Sequence, residues 1–455
     1  MASVIGCGNT YRPVVSAINP VGPAAQPQKF AVAISTTGTT AHPTPGLVTF
    51  IDFSGDTVLI TAQIGVNPYY LILNSGGNTG YTLNSDHTLT TFDISTSLLQ
   101  SQVLQTTLLP GANPVSIFPE GANTYVTDPG LSAISQFVGQ PLSLQQELVP
   151  PALLACPPST PSTPVYTVGI ASAPRIYAIS EPVVPSACPG QVSTIETASN
   201  TIDPTPIPVG INPVYGVMTA DAKRAFIMNQ GDGTVSVINA QTNLLDIVPA
   251  GATNPIKVGT SPLWADFAPT RNEMVVANAG DGVHAGSVSI ISIPLCSAAA
   301  LPTNPNCDPN NPVDAVGFGT VLATVPVGIN PRMVGVLQDT TNSRAYVVNG
   351  GNPNLPCAAP TTALPLGNCT VSVINLTTNT VTATIPLPVS PITGGAPNIN
   401  GHPNYIAVTS GTPTGKVYVT SPESNFMTVI RTDIDTVDLT IPLQGNGVSV
   451  RVTQP

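Results

Sequence analysis

The sequence predicts an all-β chain folded as a single β-propeller of four-stranded antiparallel blades, with eight blades favoured over seven. Composition is the first observation behind this. Of 455 residues only 8% are charged, while 42% are hydrophobic and Gly and Pro number 39 and 50. Val, Ile, Thr, Asn, Gly and Pro form a vocabulary of short strands and turns. No long amphipathic helix can be traced, and the apolar content suffices for a core. The second observation is an internal repeat. A string of the type Tyr81-Thr-Leu-Asn84 recurs at Val32, Tyr125, Tyr177, Phe226, Val275, Tyr346 and Tyr418, with successive spacings of 49, 44, 52, 49, 49, 71 and 72 residues. The third is that each copy is followed by more strand-like strings, making four strands per unit, the signature of a propeller blade. Tandem sandwich domains would need about seven strands per ~100 residues.

The elements follow in order from the inner strand, A, to the outer strand, D. The recurrent string is strand B. Strand C follows as Val235-Ser-Val-Ile-Asn239, Val288-Ser-Ile-Ile-Ser292 and Val371-Ser-Val-Ile-Asn375, and strand D as Val321-Leu-Ala-Thr-Val-Pro326 or Thr380-Val-Thr-Ala-Thr-Ile-Pro386. Alternation of β-branched and small polar residues suits strands packed between neighbouring sheets. Gly231-Asp232-Gly233 and Gly280-Asp281-Gly282 fall where a tight hairpin needs positive φ. They read as turns rather than calcium loops, since no acidic cluster surrounds them. Asn67-Pro68, Asn113-Pro114, Asn212-Pro213, Ser261-Pro262 and Asn330-Pro331 end each D strand in what Asn-Pro predicts as an extended turn. The first unit begins with a B strand at Phe30, and the chain finishes with an unaccompanied A strand, Gly447-Val-Ser-Val-Arg-Val452. The two ends are expected to share one blade and so remove a sheet edge. Seven blades is the alternative if the divergent unit at 116–150 is not a true blade.

These strings resemble YVTN-family propeller repeats, best over residues 205–260, 321–390 and 404–443 and loosely over 29–200. The resemblance implies a propeller of the wider group that includes lactonase-like enzymes and surface-layer proteins. For a lactonase-like member it implies a central site of His, Arg and carboxylates. Here the A-strand region offers Asp266, Arg332 and His402.

Val4-Ile5-Gly6-Cys7 reads as a bacterial lipobox, with Cys7 the lipidated residue. Residues 1–6 are then the remnant of a signal peptide, 7–28 a lipid-anchored tether and 29–455 the propeller. The remaining six cysteines lie in Pro-rich connections, as disulfides in an oxidising compartment do. Blade geometry pairs them as Cys156–Cys188, Cys296–Cys307 and Cys357–Cys369. The four His lie far from them in sequence, so zinc is the poorer reading, and no metal or cofactor is expected. The expected location is outside the cytoplasm, as an outer-membrane or cell-surface lipoprotein, with the periplasm as the alternative. The membrane is then met only through the lipid, because no apolar run reaches the ~18 residues of a membrane helix.

A formal net charge of −11 disfavours nucleic-acid binding. No nucleophile elbow, zincin, Walker or dinucleotide motif is present. The expected function is a monomeric, non-enzymatic binding or scaffold protein for a protein, peptide or carbohydrate, with a lactonase-like hydrolase as the alternative. Counting two residues past each D–A proline gives Tyr70, Ser116, Tyr215, Trp264, Met333 and Tyr405. Aromatics there, in a chain with 5% aromatic residues, predict a ring at the channel mouth, unless the rings only fill gaps between blades. The candidate ligand residues are therefore Tyr70, Tyr215, Trp264, Asp266, Arg332, His402 and Tyr405.

Overall fold

The computed structural model describes residues 29–453 apart from 39–40, 95–102, 154–160, 172, 183–187, 247–252, 295–316, 359–361, 363–366, 389–400 and 412–413. Cys7, the tether, Cys156, Cys296 and Cys307 lie outside the described residues. Eight antiparallel sheets of four or five strands form a ring, so the count of eight holds. The unit at 116–150 is a full blade, with strands Ser116–Glu120, Asn123–Asp128, Ala133–Val138 and Ser143–Leu148.

Blade 1 is built from both ends of the chain. Asn446–Val452 is its innermost strand, followed outward by Phe30–Thr36, Pro45–Asp52 and Thr57–Val66. Ala31 pairs with Val452 and Ala33 with Val450, which closes the ring as the repeat predicts. The innermost strands of blades 2 to 8 are Pro68–Leu73, Ser116–Glu120, Ser162–Val168, Pro213–Met218, Pro262–Ala268, Pro331–Val336 and Tyr405–Thr409.

The core sits between blades rather than within one. Val275, Val288 and Val325 of blade 6 pack against Val334, Val347 and Ile374 of blade 7, all nearly or fully buried. That is why the B and C strands carry apolar residues facing both neighbours.

The repeat's polar residues have two structural tasks. The Asn ending strand B pins the B–C hairpin. Asn84, Asn229, Asn278 and Asn349 each donate Nδ2 to two hydroxyls of the following strand, such as Thr370 at 3.1 Å and Ser372 at 2.9 Å from Asn349. The Tyr opening the string staples its blade to the next. Tyr177 donates to Asn243 at 3.0 Å, Tyr346 to Asp435 at 2.6 Å and Tyr418 to Asp56 at 3.1 Å, and Tyr125 likewise bonds Asn200. Each acceptor stands at positive φ in the C–D turn of the following blade, a conformation that Asn and Asp tolerate. The Tyr418–Asp56 bond crosses the closure, where Lys416 also pairs with Asp56 at 2.5 Å.

One local expectation is corrected. In four of the five turns the residue before the D–A proline is left-handed rather than extended, with φ of 43° at Asn67, 52° at Asn212, 59° at Ser261 and 53° at Asn330, while Asn113 is not left-handed. In these four a tight αL turn returns the chain from the outer edge to the next inner strand, and it overrides the pre-proline preference. The Gly-Asp-Gly turns behave as expected, with positive φ at Gly233, Gly280 and Gly282. Asp232 accepts the Ile211 N–H at 3.1 Å, tying this hairpin to the D–A turn.

Candidate ligand-binding site

The D–A turn sets the site. Its proline opens the inner strand and is followed by a register shift in five blades, at Pro68/Tyr70, Pro164/Tyr166, Pro213/Tyr215, Pro262/Trp264 and Pro331/Met333. Proline lacks the N–H a ladder needs and so suits a bulge. In a regular strand, neighbouring side chains point to opposite faces. The bulge re-aims them. Both residues after the proline therefore line the channel mouth in each of the five, as Tyr69 with Tyr70 and Arg332 with Met333 do.

The mouth is a cavity of ≈ 390 Å³ walled by Tyr70, Tyr166, Tyr215, Trp264 and Tyr405 from five different blades. Tyr215 and Trp264 stack at 4.1 Å with 18° between planes, and Tyr166 leans on Tyr215 at 4.8 Å. The Tyr166 and Tyr215 hydroxyls are hydrogen-bonded to each other. Burial pushes the phenols of Tyr70, Tyr166 and Tyr215 well up, so all three stay neutral donors. Tyr69 ties the rim of blade 2 to blade 3 by donating to the Pro114 carbonyl at 2.7 Å.

Below the mouth, a second cavity of ≈ 350 Å³ shares Tyr215, Trp264 and Met333 and adds Asp266 and Arg451. Arg451 comes from the closing strand of blade 1. Its guanidinium lies 5.9 Å from the Trp264 ring centre and 5.1 Å from that of Tyr405. Among the described residues it makes no ion pair and no hydrogen bond. Asp266 accepts N–H bonds from Phe267 at 2.8 Å and Val336 at 2.7 Å. Removal from water outweighs these bonds and pushes its carboxyl up to about 6. The charged groups lining the two cavities are thus two arginines, Arg332 and Arg451, and one carboxyl that is easily neutralised.

Of the seven residues expected here, Tyr70, Tyr215, Trp264, Arg332 and Tyr405 line the mouth, and Asp266 the deeper cavity. The rings also pack against the inter-blade clusters with their other edges, so channel lining and gap filling share the same side chains. His402 is a correction. It stands outside the channel, against the Cys357–Cys369 disulfide, with Nε2 3.2 Å from the carbonyl oxygens of Asn352 and Leu355. It precedes the inner strand of blade 8 instead of lying in it, so the blade's first turn carries it outward. The same placement brings an imidazole to two cysteines that lie far from it in sequence, so distance along the chain does not separate them in space. Ser116 is also displaced from the rim. It is buried and donates to Thr127 at 2.8 Å, while Val115 lines the mouth.

Cys357–Cys369 is bonded as expected, and Cys188 is itself in a disulfide. Tyr69, Tyr166 and Arg451 were not anticipated. Thr163-Pro164-Val165-Tyr166 obeys the same proline-plus-two rule, so Tyr166 was within reach of it. Arg451 has no proline before it and no such signal.

Fold and site together define an eight-bladed β-propeller with an aromatic, cationic channel mouth. Comparison with solved structures agrees on the fold. Citrobacter koseri AztD is 12% identical with a TM-score of 0.56, covering 93% of this chain and 97% of that one. The dihydro-heme d1 dehydrogenase NirN, in its complex with DHE, is 11% identical with a TM-score of 0.59, covering 95% and 76%. A Bacteroides fragilis protein described as a candidate 6-phosphogluconolactonase is 13% identical with a TM-score of 0.51, covering 95% and 99%. At such identities the likeness is one of fold alone. No family model matches the chain, and no curated protein matches it either.

Proposed function

We propose that the protein is a binding propeller that takes a small organic anion with a flat body at the D–A mouth of its channel. Arg451 carries the reading. An arginine offers five N–H donors in a fixed fork, suited to carboxylate or phosphate oxygens. Here the fork is held between two aromatic faces inside a cavity, and no acceptor among the described residues meets it. A polar group so placed, partly out of water, is stabilised by a ligand that brings the acceptor. The stacked Tyr215 and Trp264 supply a planar apolar wall for the rest of the ligand. In a chain of net charge −11, a site with two arginines departs from the surrounding potential.

Titration of Trp264 fluorescence with 4-hydroxybenzoate and glucuronate, against neutral 4-hydroxybenzyl alcohol and glucose, tests this. The acids are expected to bind, and Arg451→Gln to weaken them at least ~10-fold. Neutral analogues binding equally well, with Arg451→Gln without effect, would sink the proposal.

The disulfide, the cysteine pattern and the lipobox support placing this activity outside the cytoplasm on a lipid tether. Lys29 stands beside the A–B turn of blade 8, where its Nζ meets Thr409 Oγ1 at 2.6 Å. A tether leading into residue 29 would then leave from the face opposite the aromatic mouth and turn that mouth away from the membrane. Metabolic labelling with a tritiated fatty acid checks the anchor, with label expected in the parent chain and none in Cys7→Ser.

A hydrolase is the second reading. Asp266, with a carboxyl pushed up to about 6 in the deeper cavity, is its one specific support. Lactone turnover abolished by Asp266→Ala would favour it over simple binding.

A further inference from the structure

One cluster of metal-ligating groups lies outside the channel. The Cys357–Cys369 disulfide lies in the B–C insertion of blade 7. His402, in the D–A connection entering blade 8, packs against it, and both sulfurs and a ring nitrogen lie within 4.8 Å of one another. These groups meet across a blade boundary, from positions separated by a long stretch of chain.

The two sulfurs do not depend on their mutual bond for proximity. Between them in sequence, Ala358 and Asn368 form an antiparallel bridge, with N–H···O distances of 3.0 and 2.7 Å. The buried Asn368 amide donates to the carbonyls of Leu355 at 2.9 Å and Pro356 at 3.0 Å, and its oxygen accepts the Asn352 N–H at 2.7 Å. This network holds Cys357 opposite Cys369 whether or not the sulfurs are joined. His402 is oriented by the same loop. Nε2 faces the Asn352 and Leu355 carbonyl oxygens, 3.2 Å from each. A backbone carbonyl fixing one ring nitrogen is an arrangement that metal-ligating histidines use. Glu423 Oε2 stands 3.4 Å from Nδ1 and is partly exposed. Two sulfurs and an imidazole nitrogen are three of the four ligands of a tetrahedral zinc site.

We propose that this cluster is a redox-gated site for a thiophilic divalent cation of the zinc class, closed while the disulfide is intact and opened by its reduction. A dithiol reductant supplies the two electrons and two protons that convert Cys357–Cys369 to two thiols, and itself becomes a disulfide. The cation then displaces both thiol protons to solvent and binds Sγ of each cysteine and the His402 ring nitrogen that faces them, with water or the nearby Glu423 carboxylate in the fourth position. Two thiolates each ~2.3 Å from zinc stand roughly 3.8 Å apart, within the spread of the present cluster. The proposal does not rest on the channel reading.

The test uses the full chain, reduced with dithiothreitol and desalted under nitrogen, with Co²⁺ and then Zn²⁺ as probes. One equivalent of Co²⁺ is expected to bind with thiolate charge-transfer and tetrahedral ligand-field absorption, and Zn²⁺ to displace it. The unreduced chain and the reduced Cys357→Ser/Cys369→Ser variant should lack that spectrum. His402→Gln should weaken Co²⁺ at least ~10-fold. The proposal is overturned if the reduced parent lacks the spectrum, if the double variant keeps it, or if the unreduced chain already shows it. Should the double variant not fold, His402→Gln decides, and an affinity equal to the parent's overturns the assignment.

Discussion

Two rings of aromatic residues run around this propeller with the same period. The outer ring, Tyr125, Tyr177, Tyr346 and Tyr418 on the B strands, is fully buried, and each hydroxyl is satisfied by the next blade. The inner ring, Tyr70, Tyr166, Tyr215, Trp264 and Tyr405 on the A strands, faces the cavity along one edge. These four repeat their partner as well as their residue, the αL Asn or Asp of a C–D turn, while Val32, Tyr81, Phe226 and Val275 hold the position in the other blades. The inner ring repeats only a position: Tyr, Trp, Met and Ser all occupy it. A tyrosine that recurs with its acceptor is a joint between repeats. An aromatic that recurs without one is free to meet a ligand.

The largest expected effect separates the rings by stability. Tyr418→Ala removes a buried ring at the closure and should cost about 3–5 kcal/mol in urea unfolding. Tyr405→Ala is expected to cost well under half of that. Equal losses would erase the distinction between joint and rim.

Within the outer ring, acceptor charge should grade the effect. Tyr346→Phe loses a bond to the Asp435 carboxylate and should cost about 1.5–3 kcal/mol, against about 1 kcal/mol for Tyr177→Phe, whose acceptor is the neutral Asn243. Chemical denaturation of the two variants checks the order.

In the inner ring, Trp264→Ala should lower affinity for 4-hydroxybenzoate about 10-fold while leaving the unfolding midpoint nearly unchanged. A midpoint collapse with affinity retained would move Trp264 into the structural class.

The smallest effect is one of pH. Asp266 has its folded-state carboxyl raised from 3.8 to about 6, so the native state binds its proton more tightly than the unfolded chain does. Its contribution to stability is therefore fully present below about pH 4 and is lost as pH rises through about 6. Anion affinity at the channel should fall over the same rise, as the carboxylate appears beside the ligand. Asp266→Asn should flatten both profiles between pH 4 and 7, which parallel titrations of unfolding and of Trp264 fluorescence would show.

The repeat made the fold legible because several blades spend the same residues on the same tasks, as Asn349 does at its hairpin and Tyr346 at its joint. The shared first blade was legible too, since an unpaired inner strand at Gly447 can pair only with a B strand that lacks one. The site was half legible. Proline-plus-two found Tyr70, Tyr215, Trp264 and Tyr405 because the turn imposes one geometry on different sequences. Tyr69 reaches the cavity through a bulge, which is a register defect that strand alternation does not announce, and Arg332, expected from the family resemblance, reaches it the same way. Arg451 acts across the ring from the final strand, and His402 meets cysteines of another blade. Such encounters belong to ring geometry, and local spacing carries no trace of them.

The closing strand has a thermodynamic consequence of its own. Arg451 enters the channel only when Asn446–Val452 docks on Phe30–Thr36, so an open ring has the aromatic wall and Arg332 without the Arg451 guanidinium. A ligand that needs the wall and Arg451 together binds the closed ring alone, and by linkage it acts as a latch. At 100 times its dissociation constant it would hold the ring shut by about 2.7 kcal/mol, comparable to a covalent cross-link over a short loop. Occupancy would then set how often the molecule opens, and the slow step in unfolding the loaded protein would be departure of the guest.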